Sequence, residues 1–301
     1  MKWDQRLLAA FRGAAGIKRR SLWCLLLIFT VVCSAAAAGP GPEVNRKVLR
    51  VRDGKTIGFA QMIDDVKKAD LVFVGEVHDI REHHRVELDV LKAFHESDTP
   101  MAVGLEMFRA DSQGALNAWV QGRLRVREFL AVYFDNWQMP WSFYEEIFWY
   151  ARDHRIPLVG LNISDAIAKK VAQQGFSSLS GEERRQLPPG ISCNVDRKYM
   201  EFIRKAYAGH GLRDRKFVNF CEAQMVWDKS MAWHLIDYRK NNPGKSVVVL
   251  AGVGHAWRRG IPEQVDMETK LTSRVILPLI PDQIERKSVT IKDADYVVLD
   301  E

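Results

Sequence analysis

Four short apolar runs punctuate the chain: LVFVGE (71–76), MAVGLE (101–106), PLVGLN (157–162) and SVVVLAGVGH (246–255). Their length and β-branched content predict strands rather than helices. They are apolar almost throughout, as expected for strands covered on both faces in a parallel sheet. Between them polarity follows a helical period, over Arg85 to Phe94, Trp141 to His154 and Phe217 to Tyr238. Alternating strands and helices imply right-handed crossovers and a parallel core. RVILPLI (274–280) and YVVLD (296–300) add two further strands. Upstream, KVLRVRDGKTIGFAQMIDDVKKAD (47–70) predicts a hairpin turning at Asp53-Gly54, then a helix with Met62, Ile63, Val66 and Ala69 on its apolar face. The predicted fold is α/β, a mostly parallel central sheet flanked by helices.

Two stretches depart from this rhythm. Asp111 to Tyr144 is crowded with aromatics, among them Trp119, Phe129, Tyr133, Phe134, Trp137, Trp141 and Phe143, and predicts a helical insertion or cap (about 111–144) over the sheet. Residues 177–195 predict a polar loop that includes Pro188-Pro189-Gly190. Together residues 39–301 form one predicted domain.

Composition changes the picture mainly at the N-terminus. The chain has 301 residues, 47% of them hydrophobic, enough for a sizeable core. Its net charge of +6 is carried by residues 1–38, where six basic residues and one acid leave a surplus of five, so the remainder carries only +1. That excludes the basic footprint of a nucleic-acid groove. Within those 38 residues, Lys18, Arg19 and Arg20 precede the uncharged apolar run Ser21 to Val32, and CSAAAAGPGP follows. This order predicts a secretory signal peptide, with Ala36 and Ala38 suiting cleavage before Gly39. An uncleaved N-terminal membrane anchor is the alternative, since residues 21–38 sit near the lower limit of a span, roughly 17 residues. Lipidation at Cys33 is the other, although Val31 and Val32 precede it where a lipobox needs a small residue. Each version places the folded part outside the cytoplasm. Cys193 and Cys221 follow the leader and are free to pair in an oxidising compartment. The absence of Cys-x-x-Cys argues against a zinc-ribbon or thioredoxin-like site.

The chemistry gathers where the strands end. Each apolar run carries a glycine near its C-terminal end (Gly75, Gly104, Gly160, Gly252 with Gly254) and then a polar residue: Glu76 and His78, Glu106, Asn162, His255. Ligands of open α/β sheets bind beyond the carboxyl ends of the strands, and glycine lets them approach. Glu76 and His78, two apart, share a face if the backbone stays extended. A carboxylate beside an imidazole fixes its tautomer and raises its pKa, which suits a general base or an oriented metal ligand. His78, Glu106 and His255 supply the donors of a catalytic metal site with one open position, although no His-Glu-x-x-His is present. The ordinary reading of one such residue is a helix cap or solvated turn; four strand ends delivering them together favour a site. His83 and His84 diverge by about 100° on a helix, so one of the pair is expected to face solvent. His95, His154 and His210 fall in helix-end contexts. Gln224 and Asp228, one turn apart, are placed to reach the crevice from a flanking helix, whereas Met225, Trp227 and Met231 read as core.

VFVGEVHD, VGLEMF, WQMPWSFYEEIFWYARDHRIPLVGLNI, AQMVWDKSMA and VVVLAGVGHAWRRGIP, in this order, resemble the ChaN-like haem-binding uptake proteins of the wider Tiki/erythromycin-esterase-like superfamily, over roughly residues 65–270. Gly75-Glu76-Val77-His78 and Gly252-Val253-Gly254-His255 match the superfamily's Gly-Glu-x-His and Gly-x-Gly-His signatures, and Glu106 its second acidic position. The resemblance implies an exported protein of the bacterial periplasm or envelope that binds haem for iron uptake. It would work with an outer-membrane haem/iron receptor, attach to the membrane through its N-terminus and associate as a homodimer; no nucleic acid is implied. Haem requires apolar walls and an axial His or Tyr. Among Tyr133, Tyr144, Tyr150 and Tyr199, Tyr144 is the expected ligand, with Trp141, Trp257 and Asn162 as further cofactor contacts. Covalent haem is excluded, because Cys-x-x-Cys-His is absent. The same resemblance supports an alternative, a hydrolase that uses Glu76, His78, Glu106 and His255 with a divalent metal ion held by His78, Glu106 and His255.

Overall fold

The computed structural model describes residues 45–299 apart from 210–216 and 282. The leader, with Cys24 and Cys33, and His210 lie outside the described residues. Eight strands form one sheet: β1 (Lys47–Arg50), β2 (Lys55–Gly58), β3 (Leu71–Glu76), β4 (Met101–Arg109), β5 (Leu158–Asn162), β6 (Ser246–Gly252), β7 (Ser273–Pro278) and β8 (Tyr296–Val298). Their order is β2-β1-β8-β7-β3-β6-β4-β5. The run from β8 to β5 is parallel, and the β1–β2 hairpin adds an antiparallel edge. Its turn bends at Gly54, whose φ of +68° belongs to the left-handed region glycine enters freely.

Side-chain alternation along the strands divides the core in two. Leu71 and Phe73, Val159 and Leu161, Val247 and Val249, and Val275 and Leu277 face one layer. That layer contains α6 (Asp165–Gln174), α8 (Arg197–Gly209), α9 (Phe217–Asn241) and α11 (Ile261–Glu268). Val72 and Val74, Leu158, Val248 and Leu250, and Ile276 face the other. There α1 (Phe59–Val66), α2 (Arg81–Glu96), α3 (Gln113–Val120), α4 (Val126–Asn136) and α5 (Glu145–Asp153) cover the sheet. Each fully buried Val, Leu or Phe contributes on the order of 1.5–3 kcal/mol.

The aromatic stretch contributes largely to the core, although Phe134 is exposed. Trp119, Phe129, Tyr133, Tyr144 and Phe148 are fully buried. Trp119 stacks on Phe129 with ring centroids 4.1 Å apart, and Trp141 on Phe148 at 5.3 Å. The loop expected over 177–195 contains a short helix, α7 (Gly181–Arg185), capped by the Ser180 hydroxyl. A disulfide between Cys193 and Cys221 ties the segment after α7 to α9, with Cα atoms 5.6 Å apart. The apolar run expected as one strand over 246–255 leaves the sheet after Gly252. Val253–Ala256 form a helical turn, α10, so His255 projects from that turn rather than from a strand.

Candidate binding and catalytic site

The parallel register sets Glu76 at the end of β3 beside Gly252 at the end of β6, with β4 on the far side of β6. Two chains of like chemistry meet there. In the first, the Tyr144 hydroxyl donates to Glu76 Oε1 at 3.0 Å, and the same oxygen holds Nδ1 of His78. In the second, the Tyr199 hydroxyl donates to Asp228 Oδ2, and Asp228 Oδ1 lies 2.6 Å from His255 Nδ1. Glu106 stands between them. Its Oε2 accepts the Gly252 N–H at 2.6 Å, and its Oε1 lies 3.7 Å from His255 Nε2. Gly252 has no side chain because none fits: a Cβ there would lie 2.8 Å from His78 Cε1 and 3.5 Å from Glu106 Oε2.

Each imidazole thus has Nδ1 held by a carboxylate, leaving Nε2 for another partner. The Gln224 amide lies 3.2 Å from the His255 ring. Behind Glu76, His84 is buried on α2: its ring lies 4.3 Å from that of Tyr144, its Nδ1 is 3.1 Å from Glu87, and its Nε2 is 3.2 Å from the His78 carbonyl.

Charge follows this geometry. Burial opposes protonation of His78, but the Glu76 hydrogen bond and the Glu106 charge outweigh it and raise its pKa to about 9. Burial also opposes protonation of His255, and Glu106 and Asp228 again win, raising its pKa. Burial holds Asp228 above the ordinary carboxylate range even beside His255. The Glu87 carboxyl is pushed up to about 7 by burial against the pull of His84. Burial, reinforced by neighbouring carboxylates, raises the Tyr144 and Tyr199 phenols far above their usual value, so both remain donors.

The two histidines open onto a cleft of about 650 Å³ whose walls include Ile80, Phe202, Phe220, Trp227, Val253 and Ile280. The sequence model of the family described as "Haem-binding uptake, Tiki superfamily, ChaN" matches residues 62–265, about two thirds of the chain. The chain belongs to the ChaN family. A solved ChaN structure from Campylobacter jejuni, described as showing cofacial haem binding, superposes with a TM-score of 0.68 at 20% identity, over 85% of this chain and 97% of that one. At that identity the likeness shows the shared fold. An erythromycin esterase structure in its open conformation follows at TM-score 0.49 and 12% identity, over 84% and 82% of the two chains. Among curated proteins, the chloroplastic protein RETICULATA-RELATED 5 of Arabidopsis thaliana is 24% identical over 276 residues, 82% of this chain; the chain spans only 37% of that relative's length. Among the described residues, no helix of this ChaN-family chain is long and apolar enough to cross a membrane.

In this ChaN-family chain Glu76, His78, Glu106 and His255 converge as the strand ends suggested. Of the expected metal-ligand set His78, Glu106 and His255, only His255 and Glu106 form an ion pair, and the partner of His78 is Glu76. Among the described residues no three His, Cys, Asp or Glu side chains are grouped to hold a metal ion. The expected cofactor contacts lie elsewhere. Tyr144 is fully buried with its hydroxyl on Glu76, so it does not face the cleft. Trp141 belongs to the aromatic core. Trp257 packs beneath Phe202, with its indole N–H on Asp293. The Asn162 amide holds the Glu106 backbone carbonyl at 2.9 Å. Asp228 reaches the site from α9 together with Gln224, at the spacing read from the sequence. Tyr199, considered as an iron ligand, instead anchors Asp228. Of the pair His83 and His84, it is His84 that is buried and supports the first chain, and the i, i+4, i+7 stripe of His84, Leu88 and Leu91 is the signal that places it inward.

Proposed function

We propose that the cleft binds haem and that His78 is the residue presented to the iron. The observation that carries this reading is the state of His78. Its side chain is 39% exposed in an apolar-walled cleft, while its Nδ1 is already held by Glu76. A porphyrin needs apolar surface and one axial donor; with Nδ1 held by Glu76 the ring presents Nε2 in a set orientation, and iron would displace the Nε2 proton of the protonated ring, so binding should strengthen as pH rises. The cleft volume falls within the range of roughly 300–1,000 Å³ typical of ligand pockets. Haem would be cargo, bound and released rather than transformed. Spectrophotometric titration of the purified protein tests this: a saturable Soret shift is expected at micromolar haem, and its absence rejects the reading. Export through residues 1–38 and a receptor partner belong to the same proposal. Fractionation of the tagged full chain tests export, and cross-linking tests the partner.

A second reading, hydrolysis, is favoured by one feature a carrier does not need: the Tyr199–Asp228–His255 chain aimed at Glu106. In that reading Glu106 accepts the proton of an attacking water, and the His78 imidazolium donates to the developing oxyanion. Glu106→Gln would abolish ester or amide hydrolysis while leaving the haem titration intact. Equal turnover by wild type and Glu106→Gln removes the reading.

A further inference from the structure

A second hollow opens at the end of β3, on its β7 side, and the haem reading makes no use of it. It measures about 200 Å³ and is walled by Val74, Gly75, Ile80, His83, Val86 and Leu277. We propose that this hollow is a separate binding site for a small apolar molecule carrying one hydrogen-bond acceptor, of the size and kind of an aryl ketone.

Three observations support it. First, an apolar cavity of roughly 150 Å³ already accommodates benzene, so the volume admits a substituted ring. Second, one polar wall residue, His83, has a fixed role. The Val77 N–H donates to His83 Nδ1 at 2.9 Å. The neutral ring therefore carries its proton on Nε2. Burial lowers the pKa of His83 and keeps the ring neutral. The half-buried ring lines the hollow, and among the described residues its Nε2–H has no hydrogen-bond partner in the protein, which leaves it available as the donor to a ligand there. Third, Ile80, 41% exposed, lines both this hollow and the main cleft. A ligand here would thus touch the side chain that divides the two. Glu82 also lines the hollow, and its two carboxylate oxygens are engaged by Arg46 and Arg85.

The test uses the protein without haem and two near-isosteric probes, acetophenone and ethylbenzene, read by methyl NMR at Val74, Val86 and Ile276. Acetophenone is expected to shift these methyls saturably. Ethylbenzene, which lacks the acceptor, should bind about three- to tenfold more weakly, the effect of one hydrogen bond. His83→Phe should equalise the two probes, and Val86→Trp, which fills the hollow, should abolish both shifts. No saturable shift with acetophenone overturns the proposal. So do equal affinities of the two probes for the wild type, or shifts confined to Val253 and Ile280 of the main cleft. The wild-type comparison decides the matter even if a variant fails to fold.

Discussion

Two chains of the same composition, Tyr–carboxylate–His, approach the site from opposite faces of the sheet. Tyr144 belongs to the layer that contains α5, and Tyr199 to the layer that contains α9. They differ in depth. The His78 side chain is 39% exposed, whereas that of His255 is 14% exposed and backed by a fully buried Asp228. The chemistry that fixes an imidazole is therefore used twice, once at an open ring and once at a buried one. Solvent access, rather than residue type, separates the two roles.

That contrast sets the order of expected effects. Asp228→Ala strands the Tyr199 hydroxyl and a buried His255, and should cost about 3–5 kcal/mol in urea unfolding. Should Asp228→Ala cost no more than His78→Ala, the two chains do not differ in depth as described. Gly252→Ala places a methyl 2.8 Å from His78 Cε1; overpacking of about 1–3 kcal/mol is expected, with the His78 NMR signals displaced and those of His255 little changed. His78→Ala should be milder, about 1–2 kcal/mol, because the open cleft lets water reach Glu76 once the ring is gone.

The same contrast has a pH dependence. The pKa of His78 rises from the ordinary 6.5 to about 9 on folding. Over that interval the folded protein binds more protons than the unfolded chain, so stability falls as pH rises. The contribution of His78 is fully present below pH 6.5 and lost as pH passes 9. Urea midpoints across this window should decline in the wild type and decline less in Glu76→Gln. Parallel declines would mean that Glu76 is not what holds the His78 proton.

Much of this was legible in the sequence, for physical reasons. Strands buried on both faces are apolar throughout, so β3 and the body of β6 could be read directly. Parallel topology then brings Glu76, His78, Glu106 and His255 to one edge. The period of α9 was equally readable: Gln224 and Asp228 recur one turn apart, and both point inward. What escaped depends on tertiary contact. An aromatic run looks the same whether it walls a cleft or packs a core, so the burial of Tyr144 behind Glu76 was not legible. The turn at Val253–Ala256 interrupts an apolar run whose composition continues unchanged, and only the departure of the backbone from the sheet moves His255 off the strand. His83 and His84 diverge on α2, and the expectation that one of them faces solvent does not by itself say which; the stripe of His84, Leu88 and Leu91 does.

In the proposed haem site the open chain, ending in His78, meets the ligand, and the buried chain ending in His255 does not. Haem titration of the wild type, His78→Ala and Tyr144→Phe in parallel, followed at the Soret band, tests this most directly. The expected result is a saturable shift in the wild type and Tyr144→Phe, with the same band position in both, and loss or displacement of that band in His78→Ala. An unchanged spectrum in His78→Ala, with the band altered in Tyr144→Phe, would contradict it.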